Sequence, residues 1–217
     1  MTSRGLFITV EGGEGVGKST NMAFLEDFLR RNGVELVVTR EPGGTRLGED
    51  IRQLLLEVRD EQVTPQTELL LMFAARAQHI KERIEPALAA GKWVLCDRFT
   101  DATYAYQCGG RGVAVETVRA LETLVQGVLR PDCTLLLDVN VSTGMARARD
   151  RGELDRFERE AVDFFERVRA MYLHLAQESS GRYRIIDASV PLEQVQEQLL
   201  KVCRELLSCW GVRHRAS

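Results

Sequence analysis

Five short apolar runs punctuate the chain, at positions 6–10, 34–38, 93–96, 134–137 and 183–186. Each is strand length and rich in Val, Ile, Leu or Phe. None alternates polar with apolar, which is the pattern of strands buried on both faces of a sheet. Between the runs, apolar residues fall at helical spacing. Met22, Leu25, Phe28 and Leu29 share one side of a helix that follows Lys18 and stops at Asn32–Gly33. A second helical pattern covers about 66–90, with Pro86 expected to bend or break it. A third covers about 192–207, opened by Pro191. Strands alternating with helices predict an α/β fold, a parallel sheet with helices on both faces. No internal repeat or linker interrupts the pattern, and the most polar stretch, 147–159, is too short to be a domain. At roughly 150 residues per domain, the 217 residues are expected to form a single domain spanning 1–217.

Composition narrows this picture little. Apolar residues make up 44% and charged residues 28%, which excludes a disordered or low-complexity chain. The formal charge of −3 argues against a nucleic-acid partner. Arginine outnumbers lysine strongly; the only lysines are Lys18, Lys81, Lys92 and Lys201. The cysteines (Cys96, Cys108, Cys133, Cys203 and Cys209) are odd in number and form no C-x-x-C pair. That pattern suits a reducing compartment and suggests neither a disulfide framework nor a thiolate zinc site. No apolar run approaches 18 residues, so no membrane span is expected. The opening Met-Thr-Ser-Arg enters a strand-like run at once, leaving no room for a signal peptide. Together these features predict a cytoplasmic protein.

The strongest chemical signal is Gly12-Gly13-Glu14-Gly15-Val16-Gly17-Lys18-Ser19, followed by Thr20. It matches the phosphate-loop pattern G-x-x-x-x-G-K-[ST] in full, with a strand before it and a helix after it. Glycines let backbone N–H groups turn inward around phosphate oxygens. The following helix directs its positive end at the same anion. Lys18 is placed to reach the β- and γ-phosphates, and the Ser19 hydroxyl to ligate Mg²⁺.

The loop indicates a nucleotide user without fixing the reaction. A nucleotide-dependent switch or motor and a small phosphotransferase both fit it. A guanine-binding switch usually carries D-x-x-G and N-K-x-D, and neither occurs here. A phosphotransferase needs a second anion site, a charge-neutralising lid and closure against water.

Candidates for all three are present. Thr39-Arg40-Glu41-Pro42-Gly43-Gly44-Thr45 follows the second strand, at the sheet edge where ligands bind, although an ordinary turn would read the same. Asp97-Arg98 ends the third. Asp97 there suits a metal or water holder, and Arg98 a bidentate phosphate grip; the bland reading is a strand-end salt bridge. Phe73 and Arg76, three residues apart on a helix, suit a base stack and a donor to a base carbonyl, or simply a core Phe beside a surface Arg. Thr103 and Gln107, four apart, are expected on one helix face, where they would read a base edge or merely face solvent. Between 147 and 159, five arginines alternate with acids. The Arg149/Glu153 and Arg151/Asp155 spacings suit a solvated helix face. Gly152, costing about 1 kcal/mol in a helix interior, favours instead an Arg-bearing flap. Positions 13–16 hold no Arg or Lys, so further positive charge has to come from elsewhere.

Taken in order, the segments 11–20, 39–45, 97–99 and 151–156 resemble those of the bacterial thymidylate kinases, across most of the chain. The Arg40-to-Thr45 segment is more specific to that family than the phosphate loop. The resemblance implies a five-stranded parallel sheet of the nucleoside monophosphate kinase type, with a short lid at about 147–159. It implies phosphoryl transfer from ATP to dTMP with Mg²⁺, by a homodimer, in the route to dTTP. On it, Glu14 meets the sugar 3′-hydroxyl, Phe73 stacks on thymine, Arg76 donates to its carbonyl, and Thr103 and Gln107 complete the pocket. Arg98, helped by Arg40, holds the monophosphate, and Ser19 and Asp97 hold the metal. Gly15 stands where another subtype carries a loop arginine, so the lid supplies it, Arg151 first and Arg149 second. The alternatives are a kinase for another nucleoside monophosphate or a deoxynucleoside, and a phosphate-loop ATPase switch.

Overall fold

A computed structural model describes residues 4–150, 155–179 and 181–215. Strand β1 (Phe7–Glu11) leads through the glycine loop into α1 (Lys18–Arg31), then β2 (Leu36–Arg40) and α2 (Arg46–Leu56). Helix α3 (Pro65–His79) passes through a π-helical turn (Ile80–Ile84) into α4 (Glu85–Ala89) and β3 (Trp93–Asp97). Helix α5 (Thr100–Thr103) continues as a π-helical stretch (Tyr104–Gly110), followed by α6 (Val115–Gln126), β4 (Cys133–Asp138) and α7 (Val141–Arg149). The chain closes with α8 (Val162–Glu178), β5 (Tyr183–Asp187) and α9 (Leu192–Arg215).

All five strands pair in parallel, in the order β2-β3-β1-β4-β5. The central strand β1 is buried throughout, and register sets Ile8 opposite Leu95 on one side and Cys133 on the other. Its side chains alternate between two cores. Ile8 and Val10 join Leu25 and Leu29 of α1 and Leu199 and Val202 of α9. Phe7 faces the other way, onto Ile80, Ile84, Leu88 and Phe99. Leu25 and Leu29 are fully buried, each worth about 1.5–3 kcal/mol by transfer. Because the sheet is parallel, Glu11, Arg40, Asp97 and Asp138 all end strands on one edge.

Two departures from the periodic reading have local causes. Strand β2 starts at Leu36 rather than at 34, because 33–34 closes α1. Gly33, at φ 78°, donates its N–H to Arg30 O, and Val34 donates to Leu29 O, the paired bonds of a Schellman cap. The pattern at 66–90 divides at the π-turn, after which α4 restarts with Pro86 in its first turn. Proline lacks the N–H an uninterrupted helix needs there, and its ring crowds the carbonyl four residues back.

Candidate active site

The strand-edge loops enclose a cavity of about 280 Å³. One wall is the phosphate loop, residues 14–19, ending at the N-terminus of α1. Lys18 Nζ donates to Gly13 O at 2.8 Å and to Gly12 O at 3.3 Å, so its ammonium lies inside the loop's curve. Burial, and then the Arg98 charge, lower its pKa. Gly15 has φ 66°, and a Cβ there would fall 1.9 Å from Gly144 O of α7. Backbone meets backbone at that point, and no side chain fits at position 15.

Arg98 forms the cationic centre. It follows β3 at φ 65°, the left-handed region that a long side chain rarely adopts. Its Nη1 donates to Gly12 O (2.9 Å) and to the Tyr172 hydroxyl (3.1 Å). Its Nη2 donates to Glu14 Oε1 (2.7 Å) and to the Tyr106 hydroxyl (2.9 Å). Glu14 also accepts from the Tyr106 hydroxyl at 2.6 Å. Thus Glu14, Lys18, Asp97 and Arg98 line one cavity. Arg52, which no motif marks, lines it too, with Nη1 on Pro42 O at 3.0 Å. Arg40 does not. It pairs with Glu49 at 2.6 Å, half exposed, in an open groove on the far side of Ser19 and Asp97.

The far end of the cavity is built around Arg76. Its Nε donates to Glu41 Oε2 (2.7 Å) and its Nη2 to Thr103 Oγ1 (3.0 Å). Glu41 Oε1 lies 2.8 Å from His79 Nδ1, whose Nε2 meets Thr39 Oγ1 at 2.7 Å. Arg76 is 3% exposed, and its Nη1 has no hydrogen-bond partner among the described residues. A buried N–H without an acceptor is costly, and Arg76 is itself a lining residue of the cavity, which makes this nitrogen the candidate donor to a ligand acceptor.

Two expected pocket residues lie elsewhere. Phe73 is 2% exposed and packs with Leu69, Cys108 and Val118, outside the cavity. Successive helix positions turn by about 100°, and here Met72, not Phe73, faces the cavity. Gln107 is fully buried and donates to Glu68 Oε1 at 2.7 Å, also outside. The i,i+4 spacing expects it beside Thr103. Thr103 and Tyr106 do line the cavity, but the Gln107 amide is held away from it by the buried Glu68 carboxylate.

Of the two lid arginines, Arg149 ends α7, exposed, and Arg151 lies outside the described residues. Where description resumes, Asp155, Phe157 and Glu158 close the cavity's open side. Arg156 is tied down instead, to Leu55 O at 2.8 Å and Glu68 Oε2 at 2.7 Å.

The donor set also suits a divalent cation. Ser19 and Asp97 line the same cavity, and Asp97 Oδ1 is buried with no hydrogen-bond partner among the described residues. A hydroxyl and a carboxylate oxygen beside a phosphate loop are the hard donors Mg²⁺ prefers.

A protein-family model described as thymidylate kinase matches residues 10–199. The thymidylate kinase of Teredinibacter turnerae is 57% identical over 207 residues, covering 95% of this chain and all of that protein. That of Pseudomonas fluorescens is 59% identical over 203 residues, covering 94% of this chain and 97% of that one. A crystal structure of thymidylate kinase from Ehrlichia chaffeensis superposes with a TM-score of 0.73 at 33% identity, covering 92% of this chain and 99% of that one. With a nucleoside monophosphate kinase sheet, a full phosphate loop and this match over nearly its whole length, the chain belongs to the thymidylate kinase family.

Proposed function

We propose that this chain transfers the γ-phosphoryl group of ATP to dTMP, giving dTDP and ADP, in the supply of dTTP. The observation that carries the reading is one cavity lined by both a phosphate loop and a buried arginine with an unpartnered N–H among the described residues. One end takes the donor phosphates and the other a planar base with a carbonyl.

The roles follow from position. Loop N–H groups and Lys18 hold the β- and γ-phosphates. Ser19 and Asp97 would hold Mg²⁺, which when bound neutralises charge on the β- and γ-phosphoryl oxygens. Arg98, with Arg52 beside the same end, grips the dTMP phosphate in line with the γ-phosphorus. An oxygen of that phosphate forms the new P–O bond as the bond to the β-phosphoryl oxygen breaks and ADP leaves. Glu14 meets the sugar 3′-hydroxyl. Arg76 Nη1 donates to the thymine carbonyl, and Thr103 borders the base. Met72, Leu56 and Phe157 give the base its apolar walls, the place the sequence reading gave to Phe73. The lid brings Arg151 to the transferring group and excludes water. No covalent intermediate is needed, because positioning and charge neutralisation carry this chemistry.

The working unit is a homodimer in the cytoplasm. Supporting the dimer, the outer faces of α2, α3 and α6 expose Leu47, Leu54, Leu70 and Leu124. No helix among the described residues is long and apolar enough to cross a membrane. Lys18→Ala tests the phosphoryl-transfer reading: ADP release dependent on dTMP is expected to fall at least about 100-fold while the circular dichroism stays native. Near-normal turnover in the folded variant would overturn it.

A further inference from the structure

Glu11 touches no part of the cavity, yet both of its carboxylate oxygens are committed to the segment that carries Arg98. Oε1 accepts the N–H of Phe99 at 2.7 Å, the residue after Arg98. Oε2 accepts the hydroxyl of Tyr172 at 2.8 Å, and that hydroxyl accepts Arg98 Nη1 at 3.1 Å. Glu11 is 0% and Tyr172 1% exposed, and neither lines the cavity. A carboxylate on the central strand and a phenol on α8 therefore meet behind one arginine.

Arg98 needs such support. A non-glycine residue at φ 65° is strained and persists only where its surroundings impose it. Its guanidinium has five donors and many possible directions. We propose that Glu11 and Tyr172 are positioning residues for the transfer reaction. Glu11 fixes the left-handed turn at Arg98 through the Phe99 N–H, and through Tyr172 it fixes where the guanidinium points. Their effect runs through Arg98, so this inference rests on the role given to Arg98 above.

A double-mutant cycle on the full chain separates positioning from general structural support. Tyr172→Phe removes only the hydroxyl. It is expected to lower kcat/KM for dTMP roughly tenfold, the scale of a lost hydrogen bond to a charged group, with KM for ATP changed less than about twofold. Placed on Arg98→Ala, the same change is expected to cost less than about twofold more. Losses that multiply in the double variant, or an unaltered kcat/KM in folded Tyr172→Phe, would overturn the inference. Glu11→Gln serves as the second variant and carries the test if Tyr172→Phe does not fold. It keeps an oxygen for the Phe99 N–H but sets an amide against the tyrosine hydroxyl, and the same loss selective for dTMP is expected in assays above about pH 8, where the Glu11 carboxyl is ionised. Equal losses toward ATP and dTMP would count against positioning. Full turnover in Arg98→Ala would overturn the site reading and this inference with it. A large loss there, with multiplying losses in the cycle, would overturn this inference alone.

Discussion

At the scale of single residues, the site depends on buried charge held by buried charge. The Arg76–Glu41 pair, each about 3% exposed, is of the kind whose breakage costs about 3–5 kcal/mol, since one partner is left uncompensated. His79 takes the second oxygen of Glu41, and one arginine nitrogen, Nη1, has no hydrogen-bond partner among the described residues. Glu11 offers a direct test of such burial. Desolvation first, and then the charge of Asp101, push its carboxyl from 4.5 up to about 8. Between those values the folded chain keeps a proton that the unfolded chain has lost. Its contribution to stability is therefore full below the unfolded value and is lost as pH rises through about 8. Replacing Glu11 with Gln is expected to flatten the fall in unfolding free energy from about pH 5 to 8, measured by urea titration. Parallel slopes for the two chains would contradict this. Sequence alone exposes such residues unevenly. Lys18 and Ser19 were legible because a full motif surrounds them, and Asp97–Arg98 because they end an apolar strand. Met72 and Arg52 lie in amphipathic helices where nothing local distinguishes them, whereas Phe73 stands out in the sequence only because aromatics suit bases. Only the helix rotation decides between neighbours.

At the scale of elements, strands were the most legible parts, since burial on both faces leaves uninterrupted apolar runs. The π-helical stretches were not. No residue type marks them. Nor does local spacing show that Glu68, from another helix, holds the Gln107 amide away from the cavity. Contact between the phosphate loop and α7 was equally hidden. A Cβ on Gly15 would fall 1.9 Å from Gly144 O, and one on Gly144 would fall 2.5 Å from Glu14 O. Two glycines, far apart in sequence, let the loop and α7 touch. This gives a physical reason for the missing loop arginine, beyond the charge argument made from positions 13–16. Gly15→Arg is accordingly expected to lower acceptor-dependent turnover more than tenfold, because α7 has to move away, rather than to add a useful cation. Turnover at or above that of the unsubstituted chain would show that α7 yields freely.

On the scale of the whole molecule, the alternation of strands and helices predicts the fold found, a parallel sheet with helices on both faces and a cavity at its carboxyl edge. The assembly was not legible in that way, because surface leucines are ordinary one at a time. Leu47 and Leu54 lie seven residues apart on α2, two turns along one face, with exposures of 51% and 47%. Helix α3 packs beside α2 and presents Leu70 at 57%. If this face joins two copies, Leu54→Glu shifts the sedimentation of the chain from dimer to monomer at micromolar concentration. Unchanged dimer in that variant would place the interface elsewhere.

The central claim, one cavity that pairs a phosphate loop with a thymine-reading arginine, is tested most directly by ADP release from Mg-ATP with each nucleoside monophosphate supplied in turn. Release with dTMP is expected, and much weaker release with any monophosphate whose base is not thymine or uracil. Release led by a different monophosphate would keep the phosphotransferase but contradict the roles of Arg76 and Met72. No release above the acceptor-free rate, from folded protein, would contradict phosphoryl transfer itself and leave a slow ATPase switch.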